Sequence, residues 1–258
     1  MNFGWKKSSG PLNVPEFKVS GTLIKLGAAS SSEHIITEYT PISNQGSIGS
    51  CAANAGADMW EILYGLEHPG HFIQLSRLFL YWNARLYTQD TGKDDGTYIH
   101  NVMDSLTKMG VCLESTWPYD TSKVFAQPNQ IAYKQGDDNT FNNYYQIISY
   151  DNDRLGDIES AIRANHPVIF GTQVGQELMD YTGDPNKVFN FPKVSKGGHA
   201  MLITGVRTNT QGKKEFYIRN SWGIGWGING HAWFSSDYIE NDDTSDIFVG
   251  TLMPDLLV

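Results

Sequence analysis

Cys51, His199 and Asn220 are three residue types that together can run acyl transfer on a thiol, and Gln45 is a fourth that can assist. Cys51 follows Asn44-Gln45-Gly46-Ser47-Ile48-Gly49-Ser50 and opens an apolar, helix-prone run. The reactive form of a cysteine is the thiolate, and the first turn of a helix favours negative charge through its unpaired N–H groups and dipole. His199 follows Gly197-Gly198 at the start of a strand-like run. Its imidazole could hold the thiolate as an ion pair and then give a proton to a leaving amine. Asn220, in Asn220-Ser221-Trp222, could accept the other ring N–H without removing the proton. The Gln45 amide and the Cys51 N–H could together face a developing oxyanion, and loss of one such donor typically costs roughly 10²–10³ in turnover. Each residue alone has a plain reading as a packed thiol, a core histidine, a strand end and a surface-loop glutamine. Four of them in working order outweigh those coincidences.

Such a set needs a helix behind Cys51 and strands behind His199 and Asn220. Ala52, Ala55, Met59, Ile62 and Leu63 recur at helical spacing, with Ser50 expected as N-cap and Gly65 as stop. Further helices are expected over residues 76–86, 98–109 and 153–165, the last closed by His166-Pro167. Strand-like runs occupy residues 145–149, 168–172, 199–206, 215–219, 231–235 and 247–252, and residues 127–143 read as a polar surface connection. Helices first and strands later imply an α+β protein of two lobes. Residues 1–40, with Gly10-Pro11, Pro15 and a serine-rich stretch, read as an extended leader with a short strand at 21–26.

The chain has 258 residues, 40% hydrophobic and 18% charged, which describes a folded protein with a sizeable core. A net charge of -9 leaves no basic stripe to neutralise phosphates, so nucleic acid is not an expected partner. No run of about 18 apolar residues exists, so no membrane span is expected. The first residues, Met1-Asn2-Phe3-Gly4-Trp5-Lys6-Lys7, lack the apolar core of a secretory signal. The expected setting is either cytoplasmic or secreted with the signal already removed. Of the two cysteines, Cys112 reads as a buried small hydrophobe, which leaves Cys51 without a disulfide partner.

The segments 45–55, 197–206 and 217–230, the last containing Asn220-Ser221-Trp222-Gly223-Ile224-Gly225-Trp226-Gly227, resemble the papain-like cysteine peptidases. Weaker similarity through Leu75-Ser76 and residues 116–119 extends the resemblance over about residues 40–250. It implies a papain-like two-lobe α+β fold: a helical lobe (41–125), an antiparallel β-barrel-like lobe (126–258) and an active-site cleft between them. It implies Cys51 as nucleophile, His199 as general acid/base, Asn220 as orienter, Gln45 as oxyanion donor and Trp222 as a cover over His199. It also implies a substrate ledge at Gly96 and Thr97, and a pocket lined by Ile99, Gly171 and Ala200. That pocket would favour a hydrophobic side chain two residues before the scissile bond. The implied reaction is peptide hydrolysis by a monomer acting on peptide or protein substrates, as an endopeptidase, with no cofactor and no metal.

Ile48 stands where relatives commonly carry cysteine, Ala52 where they carry an aromatic, and Thr97 where they carry glycine. The long helical pro-region of many relatives is not seen either. These departures mark a divergent, bacterial-type member without the usual disulfides. Ala52 and Thr97 keep open a catalytically weak relative that binds protein, and the same chemistry on other donors keeps open a thiol acyl-transferase or amidase on the same fold. The leader would restrain activity or brace the lobes. Three other motifs carry less. His231 in Gly230-His231-Ala232 follows Asn220 and reads as structural, and His68-Pro69-Gly70-His71 lacks a third metal ligand. Gly225-Trp226-Gly227-Ile228-Asn229-Gly230 leads into a strand, which removes the phosphate-binding mechanism of that glycine pattern.

Overall fold

The computed structural model describes residues 3–17, 32–148 and 153–252. The strand expected at 21–26 lies outside them. Helix α1 (Cys51–Glu67) is central, and 14 of its residues are buried. It packs against α2 (Arg77–Leu86) and α3 (Ile99–Lys108) on one side and against the sheet on the other. A helix buried on several sides must be apolar around most of its circumference, which the Ala-rich start of α1 provides. Ser50 precedes α1 without capping it, because its hydroxyl is engaged by Tyr119 and Asn54. Ser76 does cap α2, accepting the Phe79 N–H at 3.1 Å.

The stretch read as a surface connection contains a short helix, α4 (Gln130–Gly136), capped by Asn129. Two turns with only Ala132 and Gly136 buried give too weak a periodicity to register in sequence. Helix α5 (Arg154–Arg163) begins at the Asp153 cap. The strands are β1 (Glu33–Ile35), β2 (Asn143–Gln146), β3 (Val168–Val174), β4 (Val188–Phe189), β5 (Gly197–Thr208), β6 (Lys214–Arg219), β7 (His231–Ser235) and β8 (Ser245–Thr251). They form one sheet in the order β2-β8-β3-β5-β6-β7-β4, with β1 added to β5. Pairing is antiparallel except for β4 on β7. Among the described residues the sheet stays open at β2 and β4, so the barrel-like expectation holds for strand direction and not for closure. The long β5 carries His199 near its start, where it pairs with β3, and meets β6 over its second half.

A buried charge network joins helix to sheet. Arg219, 1% exposed at the end of β6, donates from Nε to Asp58 Oδ2 on α1 at 2.9 Å and from Nη1 to Glu38. Asp58 also receives Arg77, which holds Glu61 through two 2.9 Å bonds. His231 Nε2 meets Glu38 at 3.0 Å. Burial pushes the Glu38 carboxyl up, but His231 and Arg219 outweigh it and hold the group at about 2. The sequence reads His231 as structural, and its place is in this clamp. Removing one partner strands the others in low dielectric, so Arg219→Ala is expected to cost about 3–5 kcal/mol of stability. Urea denaturation measures it, and a loss under about 1 kcal/mol would show that the clamp is dispensable.

Candidate active site

Helix α1, strand β5 and the turn after β6 bring Cys51, His199 and Asn220 together. Cys51 is fully buried as the first residue of α1, and its Sγ accepts the Ala200 N–H at 3.4 Å. His199 Nε2 lies 2.8 Å from Asn220 Oδ1, which also accepts the Ser221 N–H at 2.8 Å. An amide oxygen can only accept, so Nε2 carries the hydrogen and the neutral ring keeps its lone pair on Nδ1. That Nδ1 has no hydrogen-bond partner among the described residues. Trp222 stacks on the imidazole with ring centroids 4.8 Å apart and shields the pair from water.

Gln45, fully buried, is fixed at both ends of its amide. Nε2 donates to Ile48 O at 3.1 Å and Oε1 accepts from Ser221 Oγ at 2.8 Å. Its backbone N–H donates to Ser221 O at 2.9 Å, tying the loop before Cys51 to the Asn220 turn. Gly96 and Thr97 lie across the cleft. Tyr81 OH and Asp94 hold this ledge: Asp94 Oδ1 accepts from Tyr81 OH at 2.7 Å and from Gly49 N–H at 2.9 Å. Asp94 thereby ties the ledge to the loop before Cys51. Thr97 Oγ1 is directed at Ala84 O, 3.4 Å away, so its side chain does not crowd the ledge. Gly171 pairs with Ala200 between β3 and β5, and Ile99 is fully buried at the start of α3.

Residues 3–8 occupy the cleft. Thr97 N–H donates to Gly4 O at 2.8 Å, Lys6 N–H donates to Thr97 O at 3.1 Å, and Trp5 N–H donates to Gly198 O at 3.2 Å. Gly4 passes so close to the ledge that a Cβ on Gly96 would sit 1.9 Å from Gly4 O. The Trp5 ring lies over Gly171, where a Cβ would come within 2.1 Å of it. Its Nε1 donates to Asp246 Oδ2 at 2.9 Å, and the Ser8 N–H reaches the same oxygen at 3.0 Å. Phe3 meets His199 edge-on with centroids 6.2 Å apart. Lys6 pairs with Asp90 and Lys7 with Asp243. Beyond the cleft, Phe17 N–H joins Gln146 O at 2.8 Å on the edge strand β2. Sequence reading took Gly198 only as the lead into His199 and did not single out Asp246, which no local motif marks.

Closure sets the electrostatics. Burial pushes the Cys51 thiol up, against the N–H groups of Ala200, Gly4 and Ala52. Burial also lowers His199 to about 4, although its bond to Asn220 works the other way. With the cleft filled, thiol and imidazole are both neutral. In the unfolded chain His199 binds a proton below about pH 6.5, whereas the closed fold resists one until about pH 4. The closed fold therefore loses stability as pH falls through that window, up to about 3 kcal/mol. Thermal melts at pH 7.5 and pH 5 are expected to show a larger acid loss for wild type than for His199→Gln, by about 2 kcal/mol. Equal losses would mean that burial of the ring contributes nothing to the acid response.

Among the described residues, no group of three or more His, Cys, Asp or Glu could hold a metal ion. No described helix is long and apolar enough to cross a membrane. Cys51 and Cys112 are both free and buried.

A sequence profile described as "Papain family cysteine protease" matches residues 31–246. An uncharacterized peptidase C1-like protein of Acanthamoeba polyphaga mimivirus is 31% identical over 212 residues, covering 80% of this chain and 67% of that protein. Ananain from Ananas comosus is 25% identical over 217 residues, 84% of this chain and 58% of its own length. The chain thus spans little more than half of ananain. Among solved structures, xylellain, a cysteine protease from Xylella fastidiosa, superimposes with a TM-score of 0.82 at 24% identity, covering 98% of this chain and 97% of that one. That last likeness concerns the fold.

Proposed function

Since the chain belongs to the papain family of cysteine proteases, we propose that it hydrolyses peptide bonds through Cys51, His199 and Asn220. The observation that carries this reading is the His199 ring, fixed by Asn220 through Nε2 with Nδ1 left without a hydrogen-bond partner, while the next residue, Ala200, donates its N–H to Cys51 Sγ. When the cleft opens, Nδ1 takes the Cys51 proton and the thiolate attacks the substrate carbonyl. The carbonyl π electrons move to oxygen, where the Cys51 N–H and the Gln45 amide face the charge. The imidazolium returns its proton to the leaving amine as the C–N bond breaks, leaving a thioester. Water, deprotonated by His199, then attacks the thioester, and Cys51 leaves with the proton restored. Asn220 keeps the ring in plane and Trp222 keeps water from its far edge.

In this reading residues 41–125 carry the nucleophile, residues 126–258 carry His199 and Asn220, and residues 1–40 restrain the enzyme. The placement of Gly4 on the ledge and of Trp5 over Gly171 supports the restraint, because a substrate would need the same backbone partners. Ile99, Gly171 and Ala200 would receive an apolar body two residues before the scissile bond, and cleavage would be internal. Full-length wild type, Trp5→Ala and Cys51→Ala, incubated with a peptide library and read by mass spectrometry, test the proposal. Internal cuts that vanish in Cys51→Ala support it. No cleavage by any variant, with Cys51 inert to a thiol-directed label, would leave a protein-binding relative. Amide products formed with an added amine would indicate an acyl-transferase.

A further inference from the structure

The loop 45–50 that leads into α1 and the ledge at Gly96 and Thr97 touch beside Cys51. A Cβ on Gly49 would lie 3.1 Å from Gly96 N and 3.3 Å from Gly96 Cα. Asp94, two residues before Gly96, joins the two. Its Oδ1 accepts the Gly49 N–H at 2.9 Å and the Tyr81 hydroxyl at 2.7 Å, and that hydroxyl accepts the Gly96 N–H at 3.1 Å. Both cysteines of the chain are free, so the tie is made without a covalent bridge. Tyr81 is fully buried, and burial together with the Asp94 carboxylate raises its hydroxyl above the ordinary phenol range, so it stays a donor. Arg85, buried one turn later on α2, sets its guanidinium 4.1 Å from the Tyr81 ring centroid and donates to Lys93 O at 2.5 Å, next to Asp94.

One peptide unit carries this tie further. The Ile48 carbonyl and the Gly49 N–H belong to the same planar group, and its two polar ends point in opposite directions. The oxygen accepts from Gln45 Nε2 at 3.1 Å while the N–H donates to Asp94. Turning the plane away from one partner turns it away from the other. Gln45 Oε1 is held by Ser221 Oγ at 2.8 Å. The plane of the Gln45 amide, and with it the direction of its second N–H, therefore depends on where Ile48 O lies.

We propose that Asp94, held by Tyr81, is a positioning residue: by fixing the 48–49 peptide plane it aims the Gln45 amide at the developing oxyanion and keeps that donor in register with the substrate ledge. The use made of Gln45 rests on the peptidase reading above; the hold on its amide does not. A substrate carbonyl must reach Cys51 and the oxyanion donors while its backbone lies on Thr97. A misplacement of about 1 Å at such a site costs about 10²-fold in rate. Hydrogen bonds to an ionised acceptor are roughly twice as strong as neutral ones, and Asp94 takes two at one oxygen.

The test is a double-mutant cycle in the full-length Trp5→Ala chain, read as kcat on one fluorogenic peptide. Measured at saturation, kcat does not depend on how much of the free protein has an open cleft. Asp94→Ala is expected to lower kcat by about 10- to 100-fold, and Gln45→Ala by about 10²- to 10³-fold. Added to Gln45→Ala, Asp94→Ala is expected to cost less than about threefold more, because the donor it aims is gone. Asp94→Asn keeps an acceptor oxygen for the Gly49 N–H and is expected to stay within about tenfold of the parent. A merely structural role would give losses that multiply in the double variant. That result, or a kcat unmoved by Asp94→Ala, would overturn the proposal while leaving the peptidase reading intact. Should Asp94→Ala fail to fold, Tyr81→Phe takes its place in the cycle, again with a loss that disappears beside Gln45→Ala. If the parent turns over no peptide, the peptidase reading falls, and heteronuclear NMR of the Gln45 side-chain amide, assigned by its loss in Gln45→Ala, decides this one. A resonance pair that collapses to the position of free glutamine in Asp94→Asn or Asp94→Ala upholds the hold on Gln45, and a pair unmoved in both refutes it.

Discussion

Cys51→Ala is expected to reduce peptide hydrolysis by about 10⁵- to 10⁶-fold while the protein remains folded. The loss is that large because the nucleophile and its base act as a unit, so removing either forfeits the whole covalent route. The residue that remains would still offer the Gln45 amide and the ledge at Gly96 and Thr97, which bind substrate without reacting. The side chain itself is small and lies at the head of α1, so alanine fits the space it leaves. Initial rates on the Trp5→Ala background, together with a melting curve, separate chemistry from stability. A variant that kept more than about a hundredth of the rate would rule out thioester chemistry at Cys51.

The second large effect runs in the opposite direction. Trp5→Ala in the full chain is expected to raise peptidase activity by at least about 100-fold at neutral pH. Truncating a buried tryptophan costs about 3–5 kcal/mol, and here that cost falls on the docking of residues 3–8. Each 1.4 kcal/mol is tenfold in the balance between a filled and an open cleft. The indole also gives up its bond to Asp246, which adds to the loss. Alkylation of Cys51 by iodoacetamide should accelerate in parallel, because an open cleft returns His199 and Cys51 to water and permits the thiolate. Equal rates and equal labelling in wild type and Trp5→Ala would mean that the segment does not restrain the enzyme. A lower melting temperature with unchanged rate would assign it to bracing alone.

Much of the fold was legible because its signals are local. Short strand-like runs placed β3, β5, β6 and β7 within a few positions of their ends, and the spacing of Ala55, Met59 and Ile62 placed α1. The glycine turns and the Asn220-Ser221-Trp222 run carry information within a dozen residues of themselves. Where the local signal is weak, sequence reading failed. Helix α4 is two turns long, and Ser50 sits at a cap position while its hydroxyl serves Tyr119. Thr97 stands where relatives carry glycine, yet its side chain is directed at Ala84, away from the ledge.

The sequence by itself determined the set of reactive residue types, the order of helices and strands that could carry them, and the family. Each of those depends on short stretches in which neighbours constrain one another. Only the tertiary structure decided that Trp5 reaches Asp246 across 241 residues, that Arg219 clamps β6 to α1, and that Cys51 and His199 lie out of water. The reason is that burial belongs to no residue alone. It arises when distant segments close over one another, and the same closure that drives His199 towards neutrality also brings Asp246 its two donors.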